Sequence, residues 1–145
     1  MLVSDPTTDT AWLLVDGFTL DGVDPIEGTT GERFGAQLLA AGDVDGDGLQ
    51  DFAIAAPDAD TSEPYAGRVV VVTGSGTTQL LGAQGWDRIG TRLYAAGDVG
   101  GDGKDDLFVA APWPTPNGAV GQGWVALVQS PEGVVEMSRD DGFSF

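Results

Sequence analysis

The chain has 145 residues, the length of one ordinary domain, and its 41% hydrophobic content is enough to bury a core. A formal charge of −17, from 23 acidic against 6 basic residues, repels phosphate backbones and anionic lipid heads, which makes nucleic acid a poor partner. With neither Cys nor His, the chain has no disulfides, thiolate or imidazole zinc sites, cysteine nucleophiles or histidine-based triads.

From the N-terminus, Met1-Leu2-Val3 runs straight into Ser4-Asp5-Pro6, with neither a basic segment nor a long apolar run, and no later window is long enough to span a bilayer. No export signal and no membrane insertion by this segment are therefore expected. The 23 Gly and 8 Pro are spread along the chain, a pattern of short strands joined by tight turns. Ala11 to Val15 reads as a strand, followed by a short one at Ile26. Next come a strand after Phe34-Gly35, one from Asp51 to Ala56, one over Arg68 to Thr73 and one near Thr78 to Leu81. No window carries a helical apolar period without an interrupting Gly or Pro, so helix content should be close to nil.

The same order then recurs. Ala40-Ala41-Gly42-Asp43-Val44 returns fifty-five positions on as Ala95-Ala96-Gly97-Asp98-Val99. At the same spacing, Phe34-Gly35 matches Ile89-Gly90, Asp51 matches Asp106, and Ala55-Ala56-Pro57 matches Ala110-Ala111-Pro112. The spacing slips by one in the loop from Asp58 to Ala66, after which Gly67 to Val72 aligns with Gly123 to Val128. An indel is tolerated most easily in such a surface loop.

Within the first repeat, Asp43-Val44-Asp45-Gly46-Asp47-Gly48-Leu49-Gln50-Asp51 puts carboxylates at positions 1, 3, 5 and 9 and glycine at 4 and 6. Ca²⁺ takes six to eight oxygen ligands at roughly 2.3–2.6 Å, and a tightly wound loop of this kind supplies them from Asp43, Asp45, Asp47 and Asp51 with the carbonyl of Leu49. Without a cation these carboxylates repel one another. An EF-hand shares the first half of the pattern but needs a Glu at position 12, where this chain has Ile54 or Val109. Mg²⁺ would demand a more rigid octahedral site. The second loop keeps Asp98, Asp102 and Asp106, with the carbonyl of Lys104 at position 7, but has Gly100 at position 3. It is either a weaker calcium site completed by water or a metal-free loop held by hydrogen bonds. For both loops the bland alternative is an Asp/Gly turn that merely caps a hairpin.

These residues resemble the FG-GAP repeat, the unit of integrin α-subunit β-propellers and of many bacterial surface and secreted proteins. Phe34-Gly35 and Ile89-Gly90 stand for the "FG", Ala55-Ala56-Pro57 and Ala110-Ala111-Pro112 for the "GAP", and the Asp-rich loops for the calcium motif between them. The resemblance implies an all-β fold of four-stranded antiparallel propeller blades, with calcium between the first two strands of a blade. Residues 1–33 would then be the third and fourth strands of a preceding blade, 34–88 a complete repeat, 89–144 a second, and Phe145 the opening of a further one. That is an incomplete propeller of about two and a half blades, closed by further blades or by self-association. A secreted or cell-surface scaffold or adhesion module, non-enzymatic and with a protein or glycan ligand, is the implied role.

Two other functions are weighed against it. Trp12, Trp86, Trp113 and Trp124 suggest a carbohydrate-binding module, with the loop at Trp113-Pro114-Thr115-Pro116 as its best platform. Asp58, Asp60 and Glu63 suggest the acid and base of a hydrolase, or its accessory propeller, although they read more simply as a solvated loop.

Overall fold

β-Branched and apolar runs between glycine-rich turns become the strands. The computed structural model describes residues 2–13, 26–111 and 123–129, and among these every regular element is a strand. β1 (Leu2–Asp5), β2 (Thr10–Leu13) and β3 (Ile26–Glu27) form a first sheet. β4 (Gln37–Gly42), β5 (Asp51–Ala56), β6 (Arg68–Thr73) and β7 (Gly76–Leu81) form a second, and β8 (Arg92–Gly97), β9 (Asp106–Ala111) and β10 (Trp124–Val128) a third. Neighbours in sequence pair antiparallel in each sheet. No helix among the described residues is long and apolar enough to cross a membrane.

The four-stranded unit is complete in the second sheet, with β5 and β6 on their predicted spans. β7 starts at Gly76, ahead of Thr78, because Thr73 pairs with Gly76 across a two-residue turn. In the first sheet, β1 is a strand that the sequence reading lacks. Its four residues are too few to declare an alternation, and pairing with β2 holds them. Ala11 pairs with Ile26, which makes neighbours of the two apolar segments expected there. Leu14, Val15, the Trp113 loop and Phe145 lie outside the described residues.

The central strands β5 and β6 of the second sheet are covered on both faces, so they read as nearly continuous apolar runs. Ala53 and Ala55 of β5 and Val69 and Val71 of β6 meet Leu93, Leu107 and Val109 of the third sheet. The alternate residues Ile54, Ala56 and Val70 turn the other way and close over Ala11 and Phe34. Fully buried Phe34 fills the space between the first two sheets, and the Arg68 guanidinium lies 5.4 Å from its ring centroid. Arg68 is itself fixed by Glu32 at 2.7 Å.

The glycine after Phe34 has a physical reason. Gly35 and its counterpart Gly90 take φ of 86° and 82°, where the chain passes over the preceding sheet. A Cβ on Gly90 would lie 2.8 Å from both Ala55 Cβ and Val69 Cγ2, and one on Gly35 would overlap Ser4. Buried Asp9 completes this crossing, its Oδ1 accepting from the Phe34 amide at 2.8 Å and its Oδ2 from Gly31 at 2.7 Å.

Candidate metal centre

The Asp-rich loops join the first and second strands of their sheets, β4 to β5 and β8 to β9. Just before each loop the ladder shifts register, between Ala40 and Gly42 and again between Ala95 and Gly97. Such a bulge bends the strand and re-aims the residues after it. In the first loop Gly46 and Gly48 adopt φ of 83° and 84°, the turns that positions 4 and 6 require.

Carboxylate oxygens of Asp43, Asp45 and Asp51 come within 4.8 Å of one another. Asp51 is buried, and its Oδ2 accepts the amides of Val44 at 2.7 Å and Asp45 at 3.3 Å. Its Oδ1 is also buried and has no hydrogen-bond partner. An unpartnered buried carboxylate oxygen is costly, and a cation beside it removes that cost. The donors are all hard oxygens, the set that Ca²⁺ prefers. Asp43 is held by the amides of Gly46 and Gly48, both at 2.8 Å, and Asp45 Oδ2 accepts from the Ser75 hydroxyl at 2.8 Å. Asp47 lies outside the three-residue group, with its Oδ1 taking the Leu49 amide at 2.8 Å.

The second loop repeats this wiring. Asp106 Oδ2 accepts from Val99 and Gly100, Asp98 from Gly101 and Gly103, and Asp102 from Lys104. With Gly100 at position 3, Asp98, Asp102 and Asp106 do not gather as the first loop's carboxylates do. Two further residues complete the region without having stood out in the sequence, Ser75 and Asp105. Ser75 and Asp105 sit at no ligand position and reach the first loop from other turns, so spacing along the chain gives no signal for them.

Of the residues behind the alternative functions, Trp86, Asp58 and Asp60 have partners of their own. Trp86 stacks on Tyr65 with ring centroids 4.5 Å apart, and the Arg88 guanidinium lies 5.2 Å from the Tyr65 ring. Asp58 faces Arg88 at 3.4 Å and Arg33 at 3.6 Å, and Asp60 accepts the Tyr65 amide at 2.9 Å.

Burial pushes the Asp51 carboxyl above its ordinary 3.8, and the charges of Asp45 and Asp47 add to this against the lowering by two backbone amides. Asp45 is held below 3.8, first by the Ser75 hydroxyl. Because Asp51 binds its proton more tightly folded than unfolded, the folded state is penalised as pH rises through the interval above 3.8. In metal-depleted buffer, the wild type should therefore lose stability relative to Asp51→Asn as pH rises through that interval. Urea melts at a series of pH values read this difference, and parallel pH profiles would contradict it.

The FG-GAP repeat profile matches residues 34–72 and 90–125, more than half of the chain. The chain belongs to the FG-GAP repeat family. Its three sheets are thus a partial set of β-propeller blades, and FG-GAP modules of this type have structural or interaction roles. Integrin alpha-PS2 of Drosophila melanogaster is 40% identical over 102 residues, 61% of this chain and 7% of the relative. Human Integrin alpha-IIb is 35% identical over 105 residues, 63% of this chain and 10% of the relative. Integrin alpha-4 of Xenopus laevis is 40% identical over 93 residues, 57% of this chain and 8% of the relative. The chain therefore spans a tenth or less of the length of these three relatives.

Proposed function

We propose that this FG-GAP segment is a calcium-stabilised, non-enzymatic part of a β-propeller, serving as a scaffold or adhesion module of a secreted or cell-surface protein. The observation that carries the calcium reading is the buried, unpartnered Oδ1 of Asp51 beside the carboxylates of Asp43 and Asp45. Likeness to integrin α chains supports the adhesive, extracellular setting. Asp47 and the Leu49 carbonyl would complete the first site, while Asp98, Asp102, Asp106 and the Lys104 carbonyl would form a weaker second one. Calorimetric titration with Ca²⁺ is expected to show one strong component that Asp51→Asn removes. No heat of binding at millimolar Ca²⁺ would sink the proposal.

A further blade of the propeller is the partner that this reading supplies. Tyr94, Phe108 and Val125 share the outward face of the third sheet and are 57%, 37% and 51% exposed. Their repeat counterparts are Leu39, Ala53 and Val69, of which Ala53 and Val69 are fully buried beneath that same third sheet. By repeat symmetry, Tyr94, Phe108 and Val125 take the same kind of cover, and uncovered apolar faces promote association. The 145-residue chain alone should self-associate in sedimentation as its concentration rises, and Phe108→Ser with Val125→Ser should reduce this. A monomer at every concentration would count against the partner.

A further inference from the structure

The two Asp-rich loops belong to different blades yet are joined directly. The Asp105 amide donates to the Asp43 carbonyl at 2.8 Å, and the Asp43 amide donates to Asp105 Oδ2 at 2.9 Å. Position 8 of the second loop thus holds both backbone groups of position 1 of the first. The fit is close on either side: a Cβ on Gly42 would overlap the Asp105 carboxylate, and one on Gly46 would touch the Lys104 stem at 3.4 Å. Position 8 is outside the ligand pattern, so Asp105 is not needed as a ligand to its own loop. Gln50, at the same place in the first repeat, instead bonds the carbonyls of Gly42 at 3.2 Å and Asp51 at 2.8 Å within its own blade. Among the described residues, this clasp joins the second and third sheets.

We infer that Asp105 is a positioning residue for the first calcium loop, acting from the neighbouring blade, and that calcium binding there is coupled to the docking of the third sheet on the second. This rests on the calcium reading above. Asp43 is one of the three gathered carboxylates, and its main chain is set by Asp105 rather than by its own blade alone. Undocking the third sheet frees Asp43 and weakens the site. By linkage, calcium must strengthen the docking by the same factor.

The test uses the full chain as wild type, Asp105→Ala and Asp105→Asn. Calcium affinity is measured by calorimetry, taking the component that Asp51→Asn abolishes, and amide hydrogen exchange is followed in β8 and β9 with and without calcium. Asp105→Ala should weaken that component by about 5- to 30-fold, in the usual range of site-to-site coupling. Asp105→Asn keeps an oxygen for the Asp43 amide and should stay within about 3-fold of wild type. Calcium should slow exchange at Leu93 and Leu107 in the wild type and in Asp105→Asn, but not in Asp105→Ala. If Asp105→Ala does not fold, Asp105→Glu, which keeps the charge but displaces the carboxylate, takes its place with the same expectations. Wild-type affinity and wild-type calcium protection of β8 and β9 in the Ala or Glu variant would overturn the inference. So would an Asn variant as weak as Ala. A wild type that binds no calcium overturns the parent reading instead, which keeps the two failures distinct.

Discussion

Saturating calcium is expected to raise the melting temperature of this chain by roughly 10 °C over metal-depleted protein. An ion present at about 100 times its dissociation constant adds about 2.7 kcal/mol, and each kcal/mol moves the midpoint of a domain this size by about 2–8 °C. Asp51→Asn should erase the shift, since it removes both the charge and the free oxygen at the centre of the group. In metal-depleted buffer the same substitution should cost little. The asparagine oxygen can still accept from Val44 and Asp45, and a buried negative charge beside two others is gone. Calorimetric scans of both proteins, with and without calcium, decide the matter. An undiminished calcium shift in Asp51→Asn would remove the first loop from the account.

The second large effect is in the core. Phe34→Ala should cost about 3–5 kcal/mol, the usual range for emptying a fully buried phenylalanine site. This site is unusually committed: the ring fills the space between the first two sheets, meets the Arg68 guanidinium, and has its amide held by Asp9. Against a typical total stability of about 5–15 kcal/mol, the alanine variant should be largely unfolded at moderate urea. Phe34→Ile should be much milder, because Ile89 fills the equivalent place in the next repeat and is likewise buried. Urea midpoints for the two variants test this ordering. An alanine variant within about 1 kcal/mol of wild type would show that the space collapses readily.

Much of the second sheet was legible because each level of the sequence points the same way. Val69 to Val72 is apolar throughout, as a strand covered on both sides must be, and the turns on either side carry glycine. The calcium loop was legible as an order of ligand types along nine residues. What spacing does not contain is the closing of that loop in space: Asp43, Asp45 and Asp51 draw together while Asp47 turns to the Leu49 amide. β1 was illegible because its strand character comes from β2. Asp9 looked like one more acid in a charged chain, yet it is buried at φ 53° and caps the turn into Phe34. Asp105 was hidden for a related reason. Its partner Asp43 is remote in sequence, and nothing local marks a residue whose work is done on another blade.

The small side chains of β5 bear on how such blades add up. Ala53 and Ala55 face Leu107 and Val109 of the next sheet, and the neighbouring strand β4 lies close to β8. Where β6 meets the same interface it offers the larger Val69 and Val71. Along β5 and β6 the face turned to the third sheet thus rises from alanine to valine, and side-chain depth there contributes to the angular steps between sheets. A ring closes only when those steps complete a full circle. A methyl or two more at residues 53 and 55 would push the third sheet away from the second and change the angle between them.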